Sequence, residues 1–295
     1  MQQRAAHNPG RSGLDLEFPP MSWTVREVNR LVRAGTRSTD ELADVIASDP
    51  MMAATILRRV NSALYGVRRQ VTDLRKAVYL LGFEDVANLV LTASFLKLAD
   101  VVSSRAEERL FKDLMQLSLG AAMYGQILAN ELGLEDSGAA YSAGLLHTSG
   151  RLVLLFNFGD QYTPLCRPGT TKPFPEAAVE RSVVGIDNAQ ASGLALAEWQ
   201  MPDDLIQIVS CVEAPGRLKD PGLREVALCV GIAISAAEQL CLNRRASLPF
   251  EAKAALHVMA RLHGKRASDV AARISEERQT VNDHIALLAG DLSFD

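Results

Sequence analysis

Aromatic side chains are scarce in this chain: nine Phe, five Tyr and two Trp make up 5% of 295 residues. A core of that size must be filled by aliphatic side chains and alanine, and a hydrophobic fraction of 48% supplies them. Cysteine is rarer still. Cys166, Cys211, Cys229 and Cys241 lie 45, 18 and 12 positions apart with no C-x-x-C pair, which excludes a disulfide framework and gives no zinc signature. A reducing cytoplasm is the expected compartment. With 20 Gly and 12 Pro the chain is too poor in both to be a low-complexity or collagen-like polymer. Long apolar runs are missing as well. The longest, Val226 to Ala237, is shorter than the roughly 18 to 20 residues a bilayer requires and is flanked by Glu225 and Glu238. Residues 1–13 lack the apolar stretch of a secretory signal. No membrane span is expected. Excess positive charge is absent too: 31 basic against 35 acidic residues give a net charge of -4, so nucleic acid is not an expected partner.

What the chain does contain is helical periodicity, and no run alternates with period two long enough to suggest a sheet. The expected class is all-α. Residues 1–13 read as a polar tail. An N-terminal helical subdomain spans 14–104, a second helical core 105–215, and C-terminal helices 216–295. Phe18-Pro19-Pro20 stiffens the entry. Val25, Val28, Leu31 and Val32 then recur on one helical face up to Gly35. Ser38 with Glu41 is a capping-box pattern, and Asp49-Pro50 places an N-cap before a proline whose missing N–H would have had no partner. Thr72 is the expected cap of the next helix and Gly82 its left-handed terminator. Further helices are expected over 84–98, 110–132, 138–146 and from 151, with Gly133, Gly138, Gly144 and Gly150 as helix punctuators. Beyond a Pro- and Thr-rich loop at 164–175, helices near 176–184, 189–199, 203–212, 222–242, 250–263 and 267–288 complete the chain. Trp23 and Trp199 read as packing anchors.

Chemistry-bearing residues are sparse. His147 lies at the Gly-marked junction Gly144-Leu145-Leu146-His147-Thr148-Ser149-Gly150, as either a hydrogen-bonded core histidine or a metal ligand. His257 and His263 fall on different faces of one helix and do not chelate together. No G-x-S-x-G elbow or strand-following phosphate loop is present. A basic cluster, Arg58, Arg59, Arg68, Arg69, Arg75 and Lys76 with Tyr65 among them, is a candidate surface for an anion, a nucleotide second messenger or an acidic partner.

Several segments in order resemble the HDOD domain, the HD-related output domain of bacterial signalling proteins. They are Phe18-Pro19-Pro20, Asp49-Pro50, Asn61-Ser62-Ala63-Leu64-Tyr65-Gly66, Val71-Thr72-Asp73-Leu74, Leu80-Leu81-Gly82, Gly144-Leu145-Leu146-His147 and Glu198-Trp199 with Met201-Pro202. The resemblance covers about 18–215. It implies a helical regulatory module that binds a protein in a signalling pathway. The wider HD superfamily hydrolyses phosphoesters at a metal held by His and Asp residues. Its ligand positions look like Leu117, the pair His147-Thr148, Asn188 and the pair Cys211-Val212, with a last position near Ala236 to Glu238. Only His147 retains a ligand side chain among those aligned positions, and a lone imidazole does not hold a divalent ion tightly enough to activate water. The expectation is a non-enzyme without a metal or other cofactor. The alternative is a metal-dependent phosphohydrolase in which Asp113, Asp187 or Glu213 joins His147; a nucleotide sensor without hydrolysis is a third reading. The C-terminal helices either pack on the body or form a homodimer interface.

Overall fold

The computed structural model describes residues 15–35, 37–62, 70–103, 108–170, 172–242 and 247–290. Among the described residues there is no strand, and the all-α expectation holds. Residues 15–20 form an extended strap. Fifteen α-helices follow: α1 (Trp23–Arg33), α2 (Thr39–Ala47), α3 (Pro50–Val60), α4 (Leu74–Leu81), α5 (Phe83–Ser103), α6 (Glu108–Leu132), α7 (Ser137–Leu146), α8 (Ser149–Tyr162), α9 (Ala177–Val184), α10 (Asn188–Glu198), α11 (Asp203–Cys211), α12 (Pro221–Ala237), α13 (Phe250–Leu262), α14 (Ala267–Glu276) and α15 (Arg278–Gly290).

Short side chains start many of these helices where the sequence places them. Ser38 accepts from the Glu41 N–H at 3.2 Å. Asp49 accepts from Met51 and Met52, both at 3.1 Å, ahead of Pro50. Asp220 and Pro221 repeat the device at α12, with Leu223 N–H donating at 2.9 Å. The cap of α4 is Asp73 rather than Thr72: its shorter reach to the Lys76 N–H, at 2.7 Å, belongs to a carboxylate. Gly82 has φ 89° and ψ 156°, a positive φ but not the left-handed helical turn expected. The chain needs that conformation because α5 begins at the next residue and departs from α4 at 108°. Two other expectations are revised. The segment 267–288 is two helices, broken at Glu277, and 222–242 ends in a π-helical turn over Glu238–Leu242. Both pieces, Ala267–Glu276 and Arg278–Gly290, pack on α6.

Helices α6, α7 and α12 form the middle of the molecule. Gly144 does not punctuate a helix. It lies inside α7, and a Cβ there would stand 2.5 Å from the Ala121 carbonyl oxygen of α6, so glycine lets the two backbones touch. Of the four glycines read as punctuators, Gly133, with φ 73°, ends a helix as expected; Gly138 and Gly150 lie within α7 and α8. One buried cluster runs from Met21 to Ile285, and most of its members are aliphatic or alanine. Among the described residues one helical stretch, Pro221–Leu242, is long and apolar enough to cross a membrane, with a mean hydropathy of 1.6. It extends past the uncharged run because single charges at its ends do not lower the average enough. Its best window is 56% buried inside the molecule, where it packs on α6, α7 and α13.

Trp199, at 3% exposure, donates its indole N–H to the Pro19 carbonyl at 2.9 Å and so ties the strap to the end of α10. Asn157 grips the same strap from α8, giving and receiving a 2.8 Å bond with the backbone of Glu17. Trp23, by contrast, is 50% exposed and is no anchor, because α1 turns Val25, Val28 and Leu31 inward instead. Asn61 closes α3 and reaches further: its amide donates to the carbonyls of Leu57 and Val71, both at 2.8 Å, and accepts from the Val71 N–H at 2.7 Å. Asn61→Ala leaves the Val71 N–H and carbonyl without that side-chain partner and is expected to lower stability by about 1–3 kcal/mol, read from the urea midpoint at unchanged slope.

Candidate functional site

The turn between α7 and α8 carries His147 and Thr148, both buried, and α10 packs across it. That packing depends on Gly150. A Cβ on it would lie 2.0 Å from the Asn188 carbonyl oxygen and 2.7 Å from the Ser192 nitrogen. With no side chain in the way, α10 supplies partners for the first turn of α8, whose N–H groups have none within the helix. Ser192 Oγ accepts from the Gly150 N–H at 2.7 Å, and Asn188 Oδ1 accepts from the Arg151 N–H at 3.0 Å. The same two side chains donate to the His147 carbonyl, at 3.2 Å and 2.9 Å. Asn188 is held in turn by its own N–H, which donates to Glu180 at 2.6 Å, and Glu180 accepts from the Tyr162 hydroxyl at 2.7 Å.

The remaining positions resembling HD ligands differ in their surroundings. His147 Nδ1 lies 2.6 Å from the Gly144 carbonyl, which only accepts, so Nδ1 carries the proton and Nε2 is left as a buried acceptor without a protein donor. Burial pulls the His147 pKa down to about 3, with the nearby Arg151 charge acting in the same sense. Thr148 shares a 2.5 Å hydrogen bond with Ser118 of α6. Leu117, the residue before it, is 2% exposed. Cys211 and Val212 sit at the C-terminal end of α11, half-buried and buried respectively. Ala236 is buried and apolar, and Glu238 opens the π-helical turn. Burial raises the carboxyl pKa values of Glu213 and Glu238, and Arg151 opposes both shifts. The Arg151 guanidinium lies 4.5 Å from the centroid of the Phe174 ring.

Asp113 accepts from the Gly169 N–H at 2.6 Å, and Asp187 caps α10 in a capping box with Gln190 while pairing with Arg181. Among the described residues no three His, Cys, Asp or Glu side chains are grouped to hold a metal. The donor set around His147 therefore does not fit a catalytic divalent ion. An open depression of about 760 Å³, lined by Leu155, Asn157, Asp160, Thr163 and Cys166, lies at the other end of α8 from His147.

The basic cluster is divided by the fold. Arg75 is bound to Asp40 at 2.9 Å and Asp44 at 2.6 Å, Arg58 donates to Thr55, and Arg59 is half-buried. Arg58 and Lys76 are exposed, whereas Tyr65, Arg68 and Arg69 lie outside the described residues. Sequence reading missed Ser192, Glu180, Tyr162 and Ser118. Only Ser192 left a signal, four residues after Asn188 and so on the same face of one helix.

An all-helical body with this turn buried beneath α10 defines the class, and comparison with known proteins names it. The HDOD domain family matches residues 18–215, and the chain belongs to that family. Three solved structures share the fold. An HDOD domain protein of unknown function from Geobacter sulfurreducens is 18% identical, with a TM-score of 0.68, and the match covers 94% of this chain and 95% of that one. A candidate signal transduction protein from Marinobacter aquaeolei VT8 is 21% identical, with a TM-score of 0.72 over 92% of this chain and 60% of its own. A candidate phosphohydrolase from Shewanella amazonensis SB2B is 18% identical, with a TM-score of 0.67 over 92% and 94%. An uncharacterised protein of Treponema pallidum (strain Nichols) is 21% identical over 197 residues, which is 65% of this chain and 37% of that protein. The chain thus matches little more than a third of that relative.

Two outcomes check the site. Gly150→Ala forces α10 away from α8 and is expected to destabilise by more than about 3 kcal/mol, seen as a large fall in thermal midpoint. His147 has its folded pKa depressed, so the stability tied to its neutral form is intact above about pH 6.5 and is lost as pH falls towards 3. Glu213 and Glu238, with raised folded values, act in the opposite sense. The comparison is therefore with His147→Gln, which between pH 7 and 5 should lose less stability than the parent by up to about 2 kcal/mol in urea unfolding.

Proposed function

We propose that this chain is a non-catalytic HDOD output module that works in signal transduction by binding a protein partner. The observation that carries this reading is what the side chains at the HD ligand positions do. Asn188 caps α8 and holds the His147 carbonyl, Thr148 is bonded to Ser118, and Leu117 and Val212 are apolar. At these positions the donors that would polarise a phosphoester and activate water are replaced by an amide that binds backbone, a hydroxyl bonded to another hydroxyl, and apolar side chains. The description of the Marinobacter protein agrees with a signalling role. Exposed Arg58 and Lys76 offer a cationic docking edge for an acidic partner, and a reducing cytoplasm suits four cysteines that form no disulfide.

The test is metal content together with hydrolysis. Purified full-length chain, analysed by plasma mass spectrometry, is expected to hold less than about 0.1 equivalent of iron, manganese or zinc. With Mn²⁺ or Fe²⁺ added, it should hydrolyse neither bis(p-nitrophenyl) phosphate nor cyclic dinucleotides above buffer. Stoichiometric metal that His147→Ala removes, or hydrolysis that the same substitution abolishes, overturns the reading in favour of the phosphohydrolase.

A further inference from the structure

Helix α13 covers the core with Ala252, Leu256, Met259 and Ala260, yet an apolar row also runs along its outer face beside exposed Lys253 and His257. Phe250 is 81% exposed, Val258 59% and Leu262 71%, and Ala254 between them is exposed. These four residues recur every four positions. They form one continuous i±4 ridge, the surface that two helices interdigitate when they cross at about 50°. Scattered exposed apolar residues need no explanation, but a full-length ridge on one helix does.

The order of residues along the ridge identifies what covers it. We infer that α13 is the contact helix of a homodimer, pairing antiparallel with α13 of a second copy about a two-fold axis near residue 256. In that pairing Phe250 meets Leu262 of the partner subunit, and Ala254 meets Val258 of the partner subunit, a small residue against a β-branched one at both central positions. The flanking charges match as well. Glu251 in the first turn comes opposite Arg261 of the partner subunit in its last turn, and the two-fold axis makes this bridge twice. The helix dipoles run opposed in the same arrangement. Parallel pairing would instead set Glu251 against Glu251 and Arg261 against Arg261. An antiparallel second copy satisfies both the apolar ridge and the Glu251 and Arg261 charges.

Sedimentation velocity on the full chain from about 1 to 300 µM tests this, a range that brackets a micromolar dimer. A reversible dimer is expected. Val258→Glu and Leu262→Glu should each leave a monomer whose circular dichroism and thermal midpoint match those of the diluted parent, since both side chains lie outside the core. Glu251→Arg and Arg261→Glu should each raise the dissociation constant at least about tenfold, and the double charge swap should restore most of it. A monomer throughout the range, a dimer indifferent to Val258→Glu and Leu262→Glu, or a monomer that uses α13 to bind a different protein would overturn the inference.

Discussion

The backbone of α10 lies against Gly150 at the start of α8, at a distance that no other residue would permit, since a Cβ there would overlap the Asn188 carbonyl. From that contact the rest of the centre follows. Ser192 and Asn188 come within reach of the first N–H groups of α8 and of the His147 carbonyl, so two side chains make four bonds to backbone, three of them buried. Glu180 then holds the start of α10, and Tyr162, at the far end of α8, holds Glu180. Unpaired, each of those buried groups would destabilise by about 1–3 kcal/mol, which makes the network a structural requirement in its own right.

The same network gives His147 a structural place. His147 contributes backbone and ring to the turn: its carbonyl accepts from Asn188 and Ser192, and its Nδ1 donates to Gly144. A neutral ring suits that place, and burial keeps it neutral through the physiological range. A divalent ion would need several anionic or imidazole donors converging on Nε2, and among the described residues no three His, Cys, Asp or Glu side chains are grouped to supply them.

The fold was legible because its signals are local. Asp49-Pro50, Ser38 with Glu41, and the apolar spacing of 110–132 each specify structure within one or two turns, and the helices appear where they place them. Misreadings occurred where a distant segment decides. Gly144 and Gly150 look like helix ends, yet each is fixed by another helix, α6 and α10 respectively, that comes too close for a Cβ. Trp23 follows the expectation for a large apolar residue, but the face of α1 that turns inward was already filled by Val25, Val28 and Leu31. At the candidate site the family resemblance located His147, Thr148 and Asn188. It could not show that Asn188 and Thr148 bind backbone and hydroxyl groups, because Ser118, Glu180 and Ser192 come from three different helices.

In the proposed reading the His147 turn is a hydrogen-bonded joint rather than a metal-binding centre. Crystals of the full chain grown with millimolar Mn²⁺ and measured at a wavelength where manganese scatters anomalously address this directly. The account predicts no anomalous peak within bonding distance of His147 Nε2, with Asn188 and Ser192 still on the backbone of α8 and on the His147 carbonyl. A peak about 2.2 Å from that nitrogen, with carboxylates drawn in to complete its shell, would contradict it.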